Sequence, residues 1–364
     1  MLKIFIIFLS LFSLHSYSDF SFKTNIQNEN LSLKSLRKFV FSTELKHSSN
    51  ALLIIVNDKI IVEDYKNGFH KEMPHRIWSI SKSFTGALYG IAIKKGILSL
   101  DETVQSYYQL ESKNPFAKLM TLKHLLRMSS GFDWSEGYEN NPLDSNVINM
   151  LFISNYRDMA TYASKRSIKH KPGSRFNYSS GETNLLMGIL QKKLKENYQD
   201  FPWKELFEPL NMKNITWERD HTDNYVGSSY LYMTARDLAK FGRLYLKEGV
   251  WEGKQILPKG YVEETTTVAP SFLKTKLKGE DNSQSYGLHW WLNKDLIKEK
   301  NEGRPYPRLS ENALFGLGHH GQTLIVMPKY NAIAVRYGSD KDASFNRKIF
   351  TDKLAAFLNS VREK

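Results

Sequence analysis

Ser79 and Lys82 stand in the pattern Ser-x-x-Lys, within Trp78-Ser79-Ile80-Ser81-Lys82-Ser83-Phe84-Thr85-Gly86. A lysine three residues after a serine on a helix lies over the same face. Uncharged, its amine can take the hydroxyl proton and turn the serine into a nucleophile. A helix N-terminus at Ser79 would add partial positive charge where an oxyanion forms. The same field would lower the lysine pKa. The pattern alone is weak, because Ser35 with Lys38 and Ser271 with Lys274 also spell it. Those two lack a strand before them and an apolar helix after them. Ser81 and Ser83 have the plainer role of helix caps.

A second chemical element is the stretch from Lys171 to Gly181, in which Tyr178 lies on a loop feeding a helix that starts near Glu182. A tyrosine so placed can carry a proton between nucleophile and leaving group, and a neighbouring ammonium would favour its phenolate. The ordinary role of a lone tyrosine is packing. Tyr65 and Tyr138 each begin a Tyr-x-Asn and compete with Tyr178. Tyr65 precedes the serine, and Tyr138 follows it by only 59 positions, against 99 for Tyr178.

The elements that must position these groups can be read from periodicity. Residues 51–57 and 59–65 are β-branched apolar runs around Asn57-Asp58 and predict a hairpin. A helix should run from near Ser81 through Phe84, Leu88 and Ile91 to Lys94, Lys95 and a stopping Gly96. Helical patterns and loops dominate from about 100 to 210, as at 122–128 and 183–194, and another amphipathic helix covers 235–247. Strand patterns return at 286–293, 313–317, 322–327 and 332–337, followed by a final helix at 342–361. Strands at both ends and helices between them predict an α/β protein with an inserted, mostly helical domain. The expected division is an N-terminal segment 19–45, a discontinuous α/β domain 46–100 plus 215–364, and a helical insertion 101–214.

Composition narrows the function classes. The chain has 364 residues, 51 Lys and Arg against 38 Asp and Glu, a net charge of +13, and no cysteine. The absence of cysteine excludes disulfides, thiolate metal sites, a cysteine nucleophile and a lipoprotein anchor. No block of five basic residues and no nucleic-acid motif occurs, so the charge predicts at most weak contact with anionic envelope polymers. Among ten histidines the one close pair is His319-His320, so no metal or other cofactor is expected. Lys3, an apolar core over 4–14, and Ser16 and Ser18 before Asp19 predict a cleaved signal peptide over 1–18 and a periplasmic or secreted mature chain.

Taken together these motifs resemble the serine β-lactamase and penicillin-binding superfamily, above all its class C and esterase branch. Ser79-Ile-Ser-Lys82 resembles the nucleophile motif, and Tyr178-Ser179-Ser180 occupies the place of the branch's Tyr-x-Asn. Thr121-Leu-Lys-His-Leu-Leu-Arg-Met-Ser-Ser-Gly131 and the segment from Thr234 to Leu246 are similar to two further segments, in family order. Lys-Thr-Gly and His-Thr-Gly are absent. The run Phe315-Gly316-Leu317-Gly318-His319-His320-Gly321-Gln322 looks instead like the Gly-x-x-Gly-Gln element of 6-aminohexanoate-dimer hydrolases and related carboxylesterases.

The resemblance implies an antiparallel sheet flanked by helices and a serine hydrolase acting on a small ester or amide through a Ser79 acyl-enzyme, with Lys82 and Tyr178 handling the proton. The third motif has two placements: His319-His320-Gly321 read as His-x-Gly puts Gly321 at the glycine of Lys-Thr-Gly, whereas aligning Gly316-Leu317-Gly318 with Lys-Thr-Gly, the preferred placement, puts the His319 N–H beside that of Ser79 as oxyanion hole. His319 or His320 as general base is the other option, and both have the plain alternative of turn residues. A true β-lactamase or D-alanyl carboxypeptidase is the first alternative function. A catalytically silent envelope-binding relative is the second.

Overall fold

The computed structural model describes residues 20–111, 113–138, 144–153, 157–275, 285–295, 303–341 and 344–362. The expected signal peptide lies outside them.

In chain order the first elements are β1 (Lys23–Thr24), helix α1 (Leu31–Val40), and β2 (Ser49–Val56) with β3 (Lys59–Tyr65). The last two form the expected hairpin. Its turn places Asn57 and Asp58 in left-handed backbone, φ 51° and 58°, which these two residue types tolerate. Helix α2 (Ser81–Lys94) follows, then α3 (Leu122–Leu126), α4 (Ser180–Leu194) and α5 (Ala235–Leu246). The remaining main-sheet strands are β4 (Ser285–Tyr286), β5 (Trp291–Leu292), β6 (Leu314–Gly318), β7 (Gln322–Met327) and β8 (Ala332–Gly338). Helix α6 (Arg347–Arg362) ends the described chain.

The eight strands form one sheet in the order β1-β3-β2-β8-β7-β6-β5-β4, antiparallel except where β1 joins β3. The open sheet is joined at its middle by pairing the N-terminal hairpin with strand β8, Ala332 opposite Val56 and Arg336 opposite Leu52. Both faces are covered. Leu52 and Ile54 point to one side with Leu33 and Leu36 of α1 and Phe350 and Leu354 of α6. Leu53 and Ile55 point to the other, with Phe84 of α2 and Leu238 and Phe241 of α5. Burial on both faces explains why β2 reads as a continuous apolar run instead of an alternating one.

Helix α2 is buried along its length from Ser81 to Ala92, so it is a core helix between the sheet and the helical half. Phe84 stacks on Phe241 with ring centroids 3.7 Å apart. Helix α4 has Ser179 as N-cap, its hydroxyl accepting from the Glu182 N–H at 3.1 Å. One expected strand is revised. Residues 286–293 are two short strands joined by a turn, with the Gly287 N–H bonded to Trp290 O at 2.9 Å. His289 lies in left-handed backbone, φ 57°, which ends the extended run. The final helix starts at Arg347, later than its expected start, which falls on 342–343 outside the described residues.

Candidate active site

Ser79 sits in a 3₁₀ turn, Trp78–Ile80, that leads directly into α2. Trp78 holds left-handed backbone, φ 52°, an uncommon state for a bulky residue. The Ser81 hydroxyl donates to the Trp78 carbonyl at 2.6 Å and braces this conformation. Ser81 is thus not a helix cap but a brace for the turn carrying Ser79. Strained turns of this kind aim a side chain out of the scaffold.

The Lys82 ammonium has three acceptors: Ser79 Oγ at 3.1 Å, Ser180 Oγ at 3.0 Å and the Ser228 carbonyl at 3.2 Å. Three donors meet three acceptors, so the group is satisfied although it is buried. Burial lowers its pKa to about 8, and the negative charge of Glu136 opposes that drop. The expected origin in the helix terminus is not the main cause: removal from water is.

Tyr178 completes the cluster. Its hydroxyl hydrogen-bonds Ser79. Its ring lies under Lys82 Nζ, 4.7 Å from the centroid, and stacks on Trp291 at 5.3 Å. Burial, and then the Glu136 charge, push the phenol pKa well above its usual value. This corrects the expectation of a phenolate. The nearby ammonium does not outweigh desolvation, so Tyr178 is a proton donor at rest.

The third motif packs against the turn that carries Ser79. Gly318 is the last residue of β6, paired with Gln322 across the expected turn. A side chain at Gly318 would collide with the Ile77 carbonyl, and one at Gly316 would press on Ile80. Glycine at both positions lets β6 approach the turn of Ser79 closely, with the His319 amide at the strand's end.

The His319 ring stacks on Tyr138 at 4.8 Å and meets Trp78 edge-on at 5.2 Å. Burial and then the charge of His320 lower its pKa to about 4, so the ring is neutral near pH 7. His320 Nδ1 hydrogen-bonds the Asp340 carbonyl, and its ring lies against Trp78. Both rings therefore have packing partners. Tyr65 lies elsewhere, on β3 with its hydroxyl on Glu63 at 3.0 Å.

Two charged residues at the site were not found from the sequence. Glu136 accepts from Ser180 Oγ at 2.5 Å, from the Ser180 N–H at 2.9 Å and from Trp134 Nε1 at 2.6 Å. It lies 3.9 Å from Lys82 Nζ. Arg76 sits among Trp78, Tyr230 and Tyr232, its guanidinium 4.7 Å to 5.2 Å from their ring centroids. Its Nε donates to the Tyr232 hydroxyl at 2.7 Å.

Comparison with known proteins agrees with this architecture. A curated relative, the 6-aminohexanoate-dimer hydrolase of Paenarthrobacter ureafaciens, is 24% identical over 302 residues, 81% of this chain and 73% of its own. A solved Bacillus anthracis structure, described as a candidate 6-aminohexanoate-dimer hydrolase, superposes with a TM-score of 0.75 at 24% identity, covering 94% of this chain and 88% of that one. The D-stereospecific amidohydrolase of a Streptomyces species gives 0.65 at 15% identity, covering 90% and 99%. The β-lactamase family model matches residues 40–356. With most of its length inside that match, the chain belongs to the β-lactamase family and is a serine hydrolase.

Proposed function

We propose that the protein hydrolyses a linear ester or amide through an acyl-enzyme on Ser79. The observation that carries this reading is Lys82 Nζ, 3.1 Å from Ser79 Oγ with its pKa lowered to about 8. As a free amine Lys82 takes the Ser79 proton while Oγ bonds to the substrate carbonyl carbon. The Ser79 and His319 N–H groups hold the resulting oxyanion. Tyr178, a phenol at rest, gives its proton to the leaving oxygen or nitrogen, and that bond breaks. The Lys82 ammonium then returns a proton to Tyr178. Water repeats the sequence on the ester carbon, releasing the acid and restoring Ser79.

The substrate class follows from the third motif. Gly316-Leu317-Gly318 presents neither a lysine nor a hydroxyl toward a substrate carboxylate. A carboxylate docked without a cation or several donors loses more hydration than it regains. The rival cations have other partners: Arg308 Nε is 3.7 Å from Asp352, half-buried Arg304 donates to Pro307 O at 2.9 Å, His320 bonds the Asp340 carbonyl, and Arg76 donates to the Tyr232 hydroxyl at 2.7 Å. Small or linear esters and amides that carry no carboxylate beside the scissile bond are preferred over β-lactams. The N-terminal pattern further supports export of the mature chain from residue 19.

The test is mass spectrometry of the Ser79 peptide after brief exposure to p-nitrophenyl esters, the 6-aminohexanoate dimer and a fluorescent penicillin. An acyl adduct on Ser79 from an ester is the expected result. Penicillin alone forming the adduct would replace this reading with a penicillin-recognising enzyme, and no adduct would leave the silent-binder reading.

A further inference from the structure

The two oxygens of Glu136 share Ser180, and each also reaches one further group of the site. Oε1 accepts from Ser180 Oγ at 2.5 Å and lies 3.9 Å from Lys82 Nζ. Oε2 accepts from the Ser180 N–H at 2.9 Å and from Trp134 Nε1 at 2.6 Å. Ser180 is the first residue of α4, so the carboxylate also faces the positive end of a 15-residue helix. Ser180 Oγ receives a bond from Lys82 at 3.0 Å and passes one on to Glu136. A hydroxyl accepting on one side and donating on the other holds ammonium and carboxylate in fixed register. The Glu136 side chain is only 17% exposed and that of Lys82 1%, so water screens the pair poorly.

We propose that Glu136 is a positioning residue of the hydrolytic reaction: it holds Ser180 against Lys82 and sets the charge that Lys82 carries between turnovers. The proposal rests on Ser79 and Lys82 acting as nucleophile and base. Its physical content is a balance. Burial disfavours the ammonium, and the Glu136 charge favours it. Without Glu136 the amine would be free at lower pH, but it would lose the hydroxyl that directs it toward Ser79. With Glu136 the ammonium keeps a defined place from which it can return a proton to Tyr178.

The other groups around the pair do not substitute for this charge. Tyr178 and Tyr138 are held as phenols chiefly by burial, with Glu136 adding to the effect. Tyr286 is likewise a phenol, again mainly through burial. Buried Glu182 has its pKa pushed well up, chiefly by desolvation, and receives the Ser130 hydroxyl at 2.6 Å. His289 is neutral near pH 7, its pKa lowered to about 3 by burial and then by Lys82. Among the described residues, Glu136 is the carboxylate within 4 Å of Lys82 Nζ.

The test is the pH dependence of Ser79 labelling by a fluorophosphonate, in which Oγ bonds to phosphorus and fluoride leaves. In wild type the labelling rate should rise with pH through the Lys82 ionisation. Glu136→Gln should move that inflection down by about one unit, while lowering the plateau rate because Ser180 is no longer aimed. Glu136→Ser removes the same charge with less bulk and should give the same shift, so a folding failure of one variant does not remove the test. Glu136→Asp should hold the inflection near wild type. An unmoved inflection in a folded Gln or Ser variant would overturn the proposal and leave Glu136 as a brace for α4. Wild-type Ser79 that is unlabelled at every pH would overturn the hydrolase reading itself, and this role with it.

Discussion

Arg336 and Asp340 form a buried two-pronged ion pair, both guanidinium Nη atoms 2.8 Å from a carboxylate oxygen. Arg336 Nη1 also donates to the Gly321 carbonyl at 2.9 Å, and Asp340 accepts from the Ser48 N–H at 2.9 Å. The pair thus ties the His319–Gly321 turn to the ends of β8 and β2. Removing one partner leaves a charge buried alone, which costs about 3–5 kcal/mol. Asp340→Ala should therefore lower the melting temperature by roughly 5–10 °C. Surviving protein should also lose kcat more than KM, because the His319 amide loses its anchor. Calorimetry with steady-state kinetics checks both; a variant that melts like wild type would contradict it.

Ser79→Ala should reduce ester hydrolysis by at least about a thousandfold and leave the melting temperature near wild type. Ser81→Ala is the informative neighbour. It removes the 2.6 Å bond to the Trp78 carbonyl. Stability should fall by about 1 kcal/mol, with activity of the same order as wild type. Equal losses in the two variants would mean that the turn, not the Ser79 hydroxyl, is what activity requires.

Rate should follow the free amine of Lys82. With a pKa of about 8 the amine is charged below that pH and free above it. The limiting slope is about tenfold per unit, so kcat/KM should climb steeply from pH 6 to 7 and level above about 8. Stopped-flow hydrolysis of a nitrophenyl ester across that range measures it. A profile flat between pH 6 and 9 would rule Lys82 out as the base.

His289 makes stability depend on acid. Nδ1 lies 2.9 Å from the Leu126 carbonyl and Nε2 3.1 Å from Thr183 Oγ1, in a fully buried place. Burial, then Lys82, lower its pKa from 6.5 to about 3. Between those values the unfolded chain binds a proton that the folded chain refuses. The contribution is therefore intact above pH 6.5 and is lost as pH falls toward about 3. The loss is on the order of a few kcal/mol. Urea denaturation at stepped pH should show it, with a shallower slope in His289→Gln. Identical slopes in the two proteins would refute the assignment.

Nitrocefin should be a poorer substrate than p-nitrophenyl butyrate. A preference for nitrocefin by tenfold, about 1.4 kcal/mol in transition-state binding, would require a carboxylate anchor near Ser79. Arg76, over the face of Trp78, is the cation placed to supply it. Arg76→Met would then abolish that preference while sparing the ester.

The serine and lysine were legible in the sequence because one helical turn fixes their relation, and Tyr178 because its spacing leaves room for a helical insertion. The sheet was legible from continuous apolar runs buried on both faces. Glu136 was not, since its partner Ser180 lies 44 residues away and no periodicity links a loop carboxylate to a helix start. Its one trace was Trp134-Ser-Glu136 soon after the Ser129-Ser130-Gly131 segment. Arg76 was missed because its partners, Tyr230 and Tyr232, arrive through a pairing of residues 75–76 with 232–233. The hairpin at Gly287 was missed because Trp290 and Trp291 extend the apolar signal across the turn.

The nucleophile helix α2 ends at Lys94, whereas the strand that brings the His319 amide to it begins at Leu314. During synthesis the ribosome releases Ser79 and Lys82 more than two hundred residues before that strand exists. Any chain cut short before β6 carries Ser79 without the His319 amide. On the proposed mechanism acylating power therefore waits until β6 is made, and proteolytic fragments that end before Leu314 should be inert toward esters.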